Sequence, residues 1–112
     1  MSDAPVVLYV TAPDDRVADT LARALVDERL AACVNVLPAG RSFFRWDGAV
    51  QANAECVLLV KTVASRQHAA RARILALHPY DTPCVLAFPA DPDGSAPAFV
   101  RWLADETTPP GE

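Results

Sequence analysis

The segment His78-Pro79-Tyr80-Asp81-Thr82-Pro83-Cys84 gathers an imidazole, a phenol, a carboxylate and a thiol within seven residues. Imidazole with thiolate favours copper or zinc over magnesium or calcium. The spacing matches no standard zinc pattern, and Cys33, a lone cysteine just after the first helix, reads as a small buried hydrophobe. Asn35 follows it two residues on, facing the same side of a strand. His78 stands where a helix ends against Pro79, which also suits a cationic cap on the helix dipole. Cys56 opens an apolar run that core packing explains, and His68 lies among arginines as a solvated side chain. A hydrolytic reading through His78 and Asp81 rests on their three-residue separation alone. Phe44 and Trp46 share a strand face and are able to stack bases, although a hydrophobic subunit contact suits them better. No GxGxxG, P-loop or GxSxG occurs.

The elements that must position these groups can be read from pattern. Val6 to Thr11 is a β-branched run and reads as a buried first strand. Asp14 and Asp15 offer carboxylates to a helix over Arg16–Leu30, where Val17, Leu21 and Leu25 recur every four residues. Cys33 to Leu37 is strand-like, Pro38-Ala39-Gly40 interrupts it, and Arg41 to Trp46 resumes. Asp47-Gly48 is a hairpin turn signal, with a return strand through the run Cys56–Val60 to Thr62. Ser65 is placed to cap a helix ending at Leu77, with Ala70, Ile74 and Leu77 on one stripe. Cys84 to Phe88 makes a short strand, and Pro97 opens a last helix carrying Phe99, Trp102 and Leu103.

Strand, helix, strand, strand, helix, strand describes an α+β fold: a ferredoxin-like βαββαβ sandwich with a long hairpin between its second and third strands and a C-terminal helix. The chain reads as a single domain over 1–112, with an ordered core over about 5–105 and a frayed tail over 106–112. Each hairpin arm is roughly 14 residues and spans roughly 46 Å, against a radius of gyration of about 13 Å for a domain of this length. The arms must curl, kink at Pro38–Gly40, or project beyond their own core. A projecting ribbon exposes edges that another copy of the chain would cover.

Composition narrows the partners. Ten Lys+Arg against 14 Asp+Glu give a net charge of −4, and Lys61 is the only lysine. A phosphate-neutralising surface is disfavoured, so no nucleic-acid partner is expected. The opening residues form no positive n-region, and no apolar stretch reaches the ~18 residues of a spanning helix, so no membrane partner is expected. Three widely spaced cysteines fit a reducing cytoplasm better than a disulfide framework.

Leu30-Ala31-Ala32-Cys33-Val34-Asn35, Trp46-Asp47-Gly48, Val60-Lys61-Thr62, His78-Pro79-Tyr80 with Pro83, and Phe99 to Leu103 together resemble the CutA-like divalent-cation-tolerance family, in order along nearly the whole chain. The resemblance implies a ferredoxin-like subunit in a homotrimer, with copper or another divalent cation bound in the service of metal tolerance and no established catalysis. It implies metal contacts at Cys33 and His78, to which the sequence adds Cys84 where the family usually has glutamate. Val10 stands where some members carry cysteine, and Ala49 where lysine is usual. The exchanges at Val10 and Cys84 move the donor set toward softer Cu(I), or away from metal altogether, and Ala49 leaves the hairpin tip without that lysine's charge. The same architecture admits an alternative, a PII-like trimeric small-molecule sensor with its ligand between subunits, an analogy of fold and not of site.

Overall fold

The computed structural model describes residues 3–109. Alternation in the first strand sets the layers. Val6, Leu8, Val10 and Ala12 of β1 (Pro5–Ala12) are buried on one face, while Val7 and Tyr9 on the other are only half-buried. Helix α1 (Asp15–Asp27) lays Ala18, Leu21 and Leu25 on the buried face. Its N-terminus is capped by Asp14, whose side chain accepts from the Val17 amide at 2.9 Å. Helix α2 (Gln67–Leu77) adds Ala70 and Ile74 to the same core.

Four strands form one antiparallel sheet in the order β2-β3-β1-β4, with β2 at Cys33–Trp46, β3 at Ala49–Val63 and β4 at Val85–Pro89. This is the expected ferredoxin-like sandwich. A C-terminal helix, α3 (Pro97–Glu106), buries Leu103 against Ala32 and Val63, while Phe99 and Trp102 remain largely exposed.

The hairpin projects. The molecule measures 47 × 29 × 21 Å with a radius of gyration of 14.8 Å. Asp47 (φ 52°) and Gly48 (φ 74°) both adopt the left-handed conformation, the turn that matches strand twist. Pro38-Ala39-Gly40 does not interrupt the second strand as a break; it is a β-bulge inside a continuous β2. Leu37 pairs with Val57 and Gly40 with Glu55, so Pro38 and Ala39 together oppose Cys56. Proline is tolerated there because a bulge needs one ladder donor fewer.

Three local expectations are corrected. The first helix stops at Asp27, because Arg29 (φ 58°) turns the chain left-handed before Leu30. Ser65 does not cap α2: it sits in a 3-10 turn over Ala64–Arg66, where its amide and hydroxyl donate to the Asp3 carboxylate. The tail does not begin at 106, since α3 includes Glu106 and Thr107 is buried with its hydroxyl donating to the Leu103 carbonyl at 2.7 Å. Residues 110–112 of that tail lie outside the described residues.

The two hairpin glycines fail for different reasons when substituted. A Cβ on Gly40 would lie 2.8 Å from the Glu55 carbonyl oxygen, whereas Gly48 has open space and only its φ of +74° to satisfy. Gly40→Ala and Gly40→Asn are both expected to cost about 1–3 kcal/mol in chemical denaturation. Gly48→Ala is expected to cost about 1–2 kcal/mol, and Gly48→Asn much less, since asparagine tolerates that conformation.

Candidate functional site

Pro79 ends α2 and leaves His78 as its C-terminal cap, with the amide still donating to the Ile74 carbonyl at 2.9 Å. The cap is not a solvated cation near the dipole. His78 is buried, and its Nε2 lies 2.8 Å from the Thr11 carbonyl oxygen at the end of β1. A carbonyl only accepts, so the proton is assigned to Nε2. Nδ1 then accepts from the Tyr80 amide at 3.2 Å. The imidazole is held as one neutral tautomer with both nitrogens engaged.

Tyr80 continues the chain of contacts. Its hydroxyl donates to Glu55 Oε2 at 3.1 Å, and its ring sits 4.8 Å from the His78 ring at an interplanar angle of 52°. Burial first, then the hydrogen bond and charge of Glu55, push the phenol above its usual range. Glu55 is 8 % exposed, and among the described residues no lysine or arginine pairs with it. Cys84, just before β4, is half-buried; burial raises its thiol and the Glu55 charge adds to that, while a hydrogen bond with Thr11 opposes both.

The three expected donors are therefore not gathered in one place. His78 and Cys84 both contact Thr11, but Cys33 begins β2 opposite Lys61. Thr11 pairs with Val57 and Val57 with Leu37, which places Cys33 four residues farther along the sheet, roughly 13 Å away along the strand direction. Among the described residues no three His, Cys, Asp or Glu side chains converge to hold a metal ion. One feature of a metal-binding imidazole is present, the ring N–H fixed by a backbone carbonyl. Nδ1 becomes available to an ion only if the Tyr80 amide lets go. Asp81 is exposed at the cleft edge, and the engaged His78 shows no free lone pair beside it.

Thr11, Glu55, Tyr80, Asp81 and Cys84 border an open cleft of about 830 Å³ on the sheet face away from α1 and α2, while His78 and Cys33 lie outside its lining. Phe44 and Trp46 of β2 form one wall and Tyr80 another, with Gln51, Asn53 and Glu55 of β3 between them. Thr11 and Glu55 belong to no motif in the sequence. Their signal was the period-2 pattern: Gln51, Asn53 and Glu55 alternate in phase with Val57 and Leu59, so a carboxylate lies on the strand face opposite the helices.

Cys56 plays a different part. It is buried, and its thiol donates to Asp15 Oδ1 at 3.1 Å across to the start of α1. That hydrogen bond, then burial and the Asp15 charge, raise the thiol from 9.0 to about 11.

The family described as CutA1 divalent ion tolerance protein matches residues 6–106. The Divalent-cation tolerance protein CutA of Thermus thermophilus is 43% identical over 101 residues, covering 90% of this chain and 96% of that protein. The solved CutA of Xylella fastidiosa superposes with a TM-score of 0.91 at 37% identity, covering 94% of this chain and 99% of that one. The solved periplasmic divalent cation tolerance protein CutA of Archaeoglobus fulgidus gives 0.88 at 34% identity, covering 93% of this chain and 99% of that one.

The Cys56–Asp15 contact has a pH signature. A thiol whose folded pKa lies above its unfolded one stabilises the fold fully below pH 9 and loses that contribution as pH climbs through about 11. Denaturation midpoints are expected to fall over that interval. Asp15→Asn should flatten the fall and bring Cys56 thiolate absorbance in at lower pH.

Proposed function

The chain belongs to the CutA1 divalent ion tolerance family, and on that premise we propose that it binds divalent cations, copper foremost, as a homotrimer serving metal tolerance in the cytoplasm. Family membership over residues 6–106 is the observation that carries this reading. In it His78 and Cys84 are the paired soft donors beside Thr11, and Cys33 is a separate thiol toward the other end of the sheet. An ion at His78 Nδ1 would displace one neutral hydrogen bond, a cost of about 1 kcal/mol that coordination readily exceeds. The remaining ligands would come from another subunit or from water.

The trimer is supported by surface left uncovered on one chain. Leu37, Leu86 and Phe88 are about half exposed on the sheet face away from α1 and α2, and Phe43 and Val50 still more so on the hairpin. The cytoplasmic assignment is supported by three free cysteines, which an oxidising compartment would put at risk; the Archaeoglobus fulgidus relative, by contrast, is described as periplasmic. The reading assigns no catalysis. The small-molecule sensor related to PII proteins is not favoured, because the family match points to cation tolerance and no lysine or arginine lines the cleft to meet a phosphate.

Copper titration of the reduced protein tests the donors. Affinity is expected to fall about 100-fold or more in the triple variant His78→Ala, Cys33→Ala, Cys84→Ala, as loss of direct ligands requires; unchanged affinity removes the site. A native mass spectrum reports subunit count and bound metal together, and a monomer there would remove the assembly.

A further inference from the structure

Glu55 carries a charge that the described chain does not balance. The residue as a whole is 8 % exposed, and its one side-chain partner is the neutral Tyr80 hydroxyl, on Oε2, which leaves Oε1 open toward the cleft. Buried carboxylates are normally paired or neutralised, because desolvation alone is costly. Every charged or titratable group facing it adds negative charge or none. Asp81 is the other carboxylate on the cleft, Asp14 acts on Tyr80 in the same sense, and β1 presents Tyr9 and Thr11. Across from Glu55, β2 presents Ser42, Phe44 and Trp46, whose two rings offer π-faces.

We infer that this cleft binds a small organic cation, an ammonium or guanidinium head on a flat or aromatic body, with Glu55 as the counter-ion and Phe44, Trp46 and Tyr80 as the walls around the body. The carboxylate oxygen that Tyr80 does not engage accepts from the cationic head, and the amides of Gln51 and Asn53 are placed to read polar groups on the body. A bare metal ion suits these surroundings poorly, since among the described residues no three His, Cys, Asp or Glu side chains form a coordination set and aromatic walls give it no donors. An anion such as a nucleotide would meet two carboxylates and no basic residue. Copper binding in the reading above uses His78, Cys33 and Cys84, of which Cys84 also lines this cleft, so the variants that test the organic cation leave all three in place.

Calorimetric titration of the full-length, metal-stripped protein with benzylamine and agmatine tests it, with benzyl alcohol as the neutral analogue and ATP as the anion. Saturable amine binding is expected, with none for benzyl alcohol or ATP. Glu55→Gln should weaken it by about tenfold or more, the scale of one charge-assisted hydrogen bond. Trp46→Ala, at an exposed hairpin position, should also weaken the amines and leave copper affinity unchanged, so loss of one reading is separable from loss of the other. Equal binding of amine and alcohol overturns the inference, as does tighter binding of ATP or an unaffected Glu55→Gln. Dissociation of a native oligomer by Glu55→Gln also overturns it, because the missing cation would then be a neighbouring copy's arginine.

Discussion

The two-against-one pairing of Pro38 and Ala39 with Cys56 is the constraint on which the site geometry depends. Below the bulge, the even-numbered residues Val34 and Val36 of β2 pack against the helix-side core. Above it, the even-numbered residues Ser42, Phe44 and Trp46 line the opposite face. Strand β3 keeps its phase throughout, with Cys56, Leu58 and Val60 buried toward the helices. One extra residue in β2 therefore turns the aromatic half of the strand over. Without it, Phe44 and Trp46 would stand on the other side of the sheet from Glu55, and the cleft would lose a wall. Gly40 makes the device possible by letting the Glu55 carbonyl approach where a Cβ would block it.

A second set of contacts fastens the other wall. Thr11 holds His78, His78 holds the Tyr80 amide, and Tyr80 holds Glu55. Three hydrogen bonds thus close a loop between β1, the turn after α2, and β3. Each is worth about 1 kcal/mol net, and they draw on residues up to 67 positions apart. The loop also needs few conformations removed, because Pro79 and Pro83 already restrict it. Neutral groups make up most of the chain: an imidazole in one tautomer, a phenol kept protonated, and amide and carbonyl dipoles. The single formal charge is concentrated at Glu55, on the cleft side of the chain.

What was legible in the sequence follows from the range of each interaction. Asp47-Gly48 declares its turn locally, since both residues must adopt positive φ. The overlong arms, the amphipathic first helix and the strand–helix order are period and length signals, and they led to the right sandwich. Pro38-Ala39-Gly40 was legible as a disturbance, but not as a bulge, because that distinction depends on what β3 does opposite. His78 was legible as a residue with chemistry; its partner carbonyl at Thr11 was not, because nothing near His78 in sequence encodes a backbone atom 67 residues away. Cys33 shares a donor type with His78 and Cys84, and donor type carries no distance. Glu55 is not legible as a site residue because one carboxylate before an apolar run resembles a strand boundary, and only the phase of that run shows which face it joins.

The face left open by the helices divides into two surfaces with different requirements. Leu37, Leu86 and Phe88 are about half exposed, and burying the remainder of each is worth about 1 kcal/mol. Three such residues fall short of the about 4 kcal/mol or more that association costs, so a partner held there must also take up the projecting arm, whose Phe43 and Val50 stand on its other face. Apolar groups on both faces of the arm argue for a large contact that wraps it, of the kind neighbouring copies supply, and against a small docked peptide. The cleft asks for the reverse. Its aromatic walls enclose a carboxylate and amides whose hydrogen bonds a flat protein surface would leave unmet. An apolar margin that favours protein contact beside a polar hollow that disfavours it is the arrangement of a ligand site set next to an assembly surface. The bulge that turns Phe44 and Trp46 away from the phase of Val34 and Val36 is the element that separates the two.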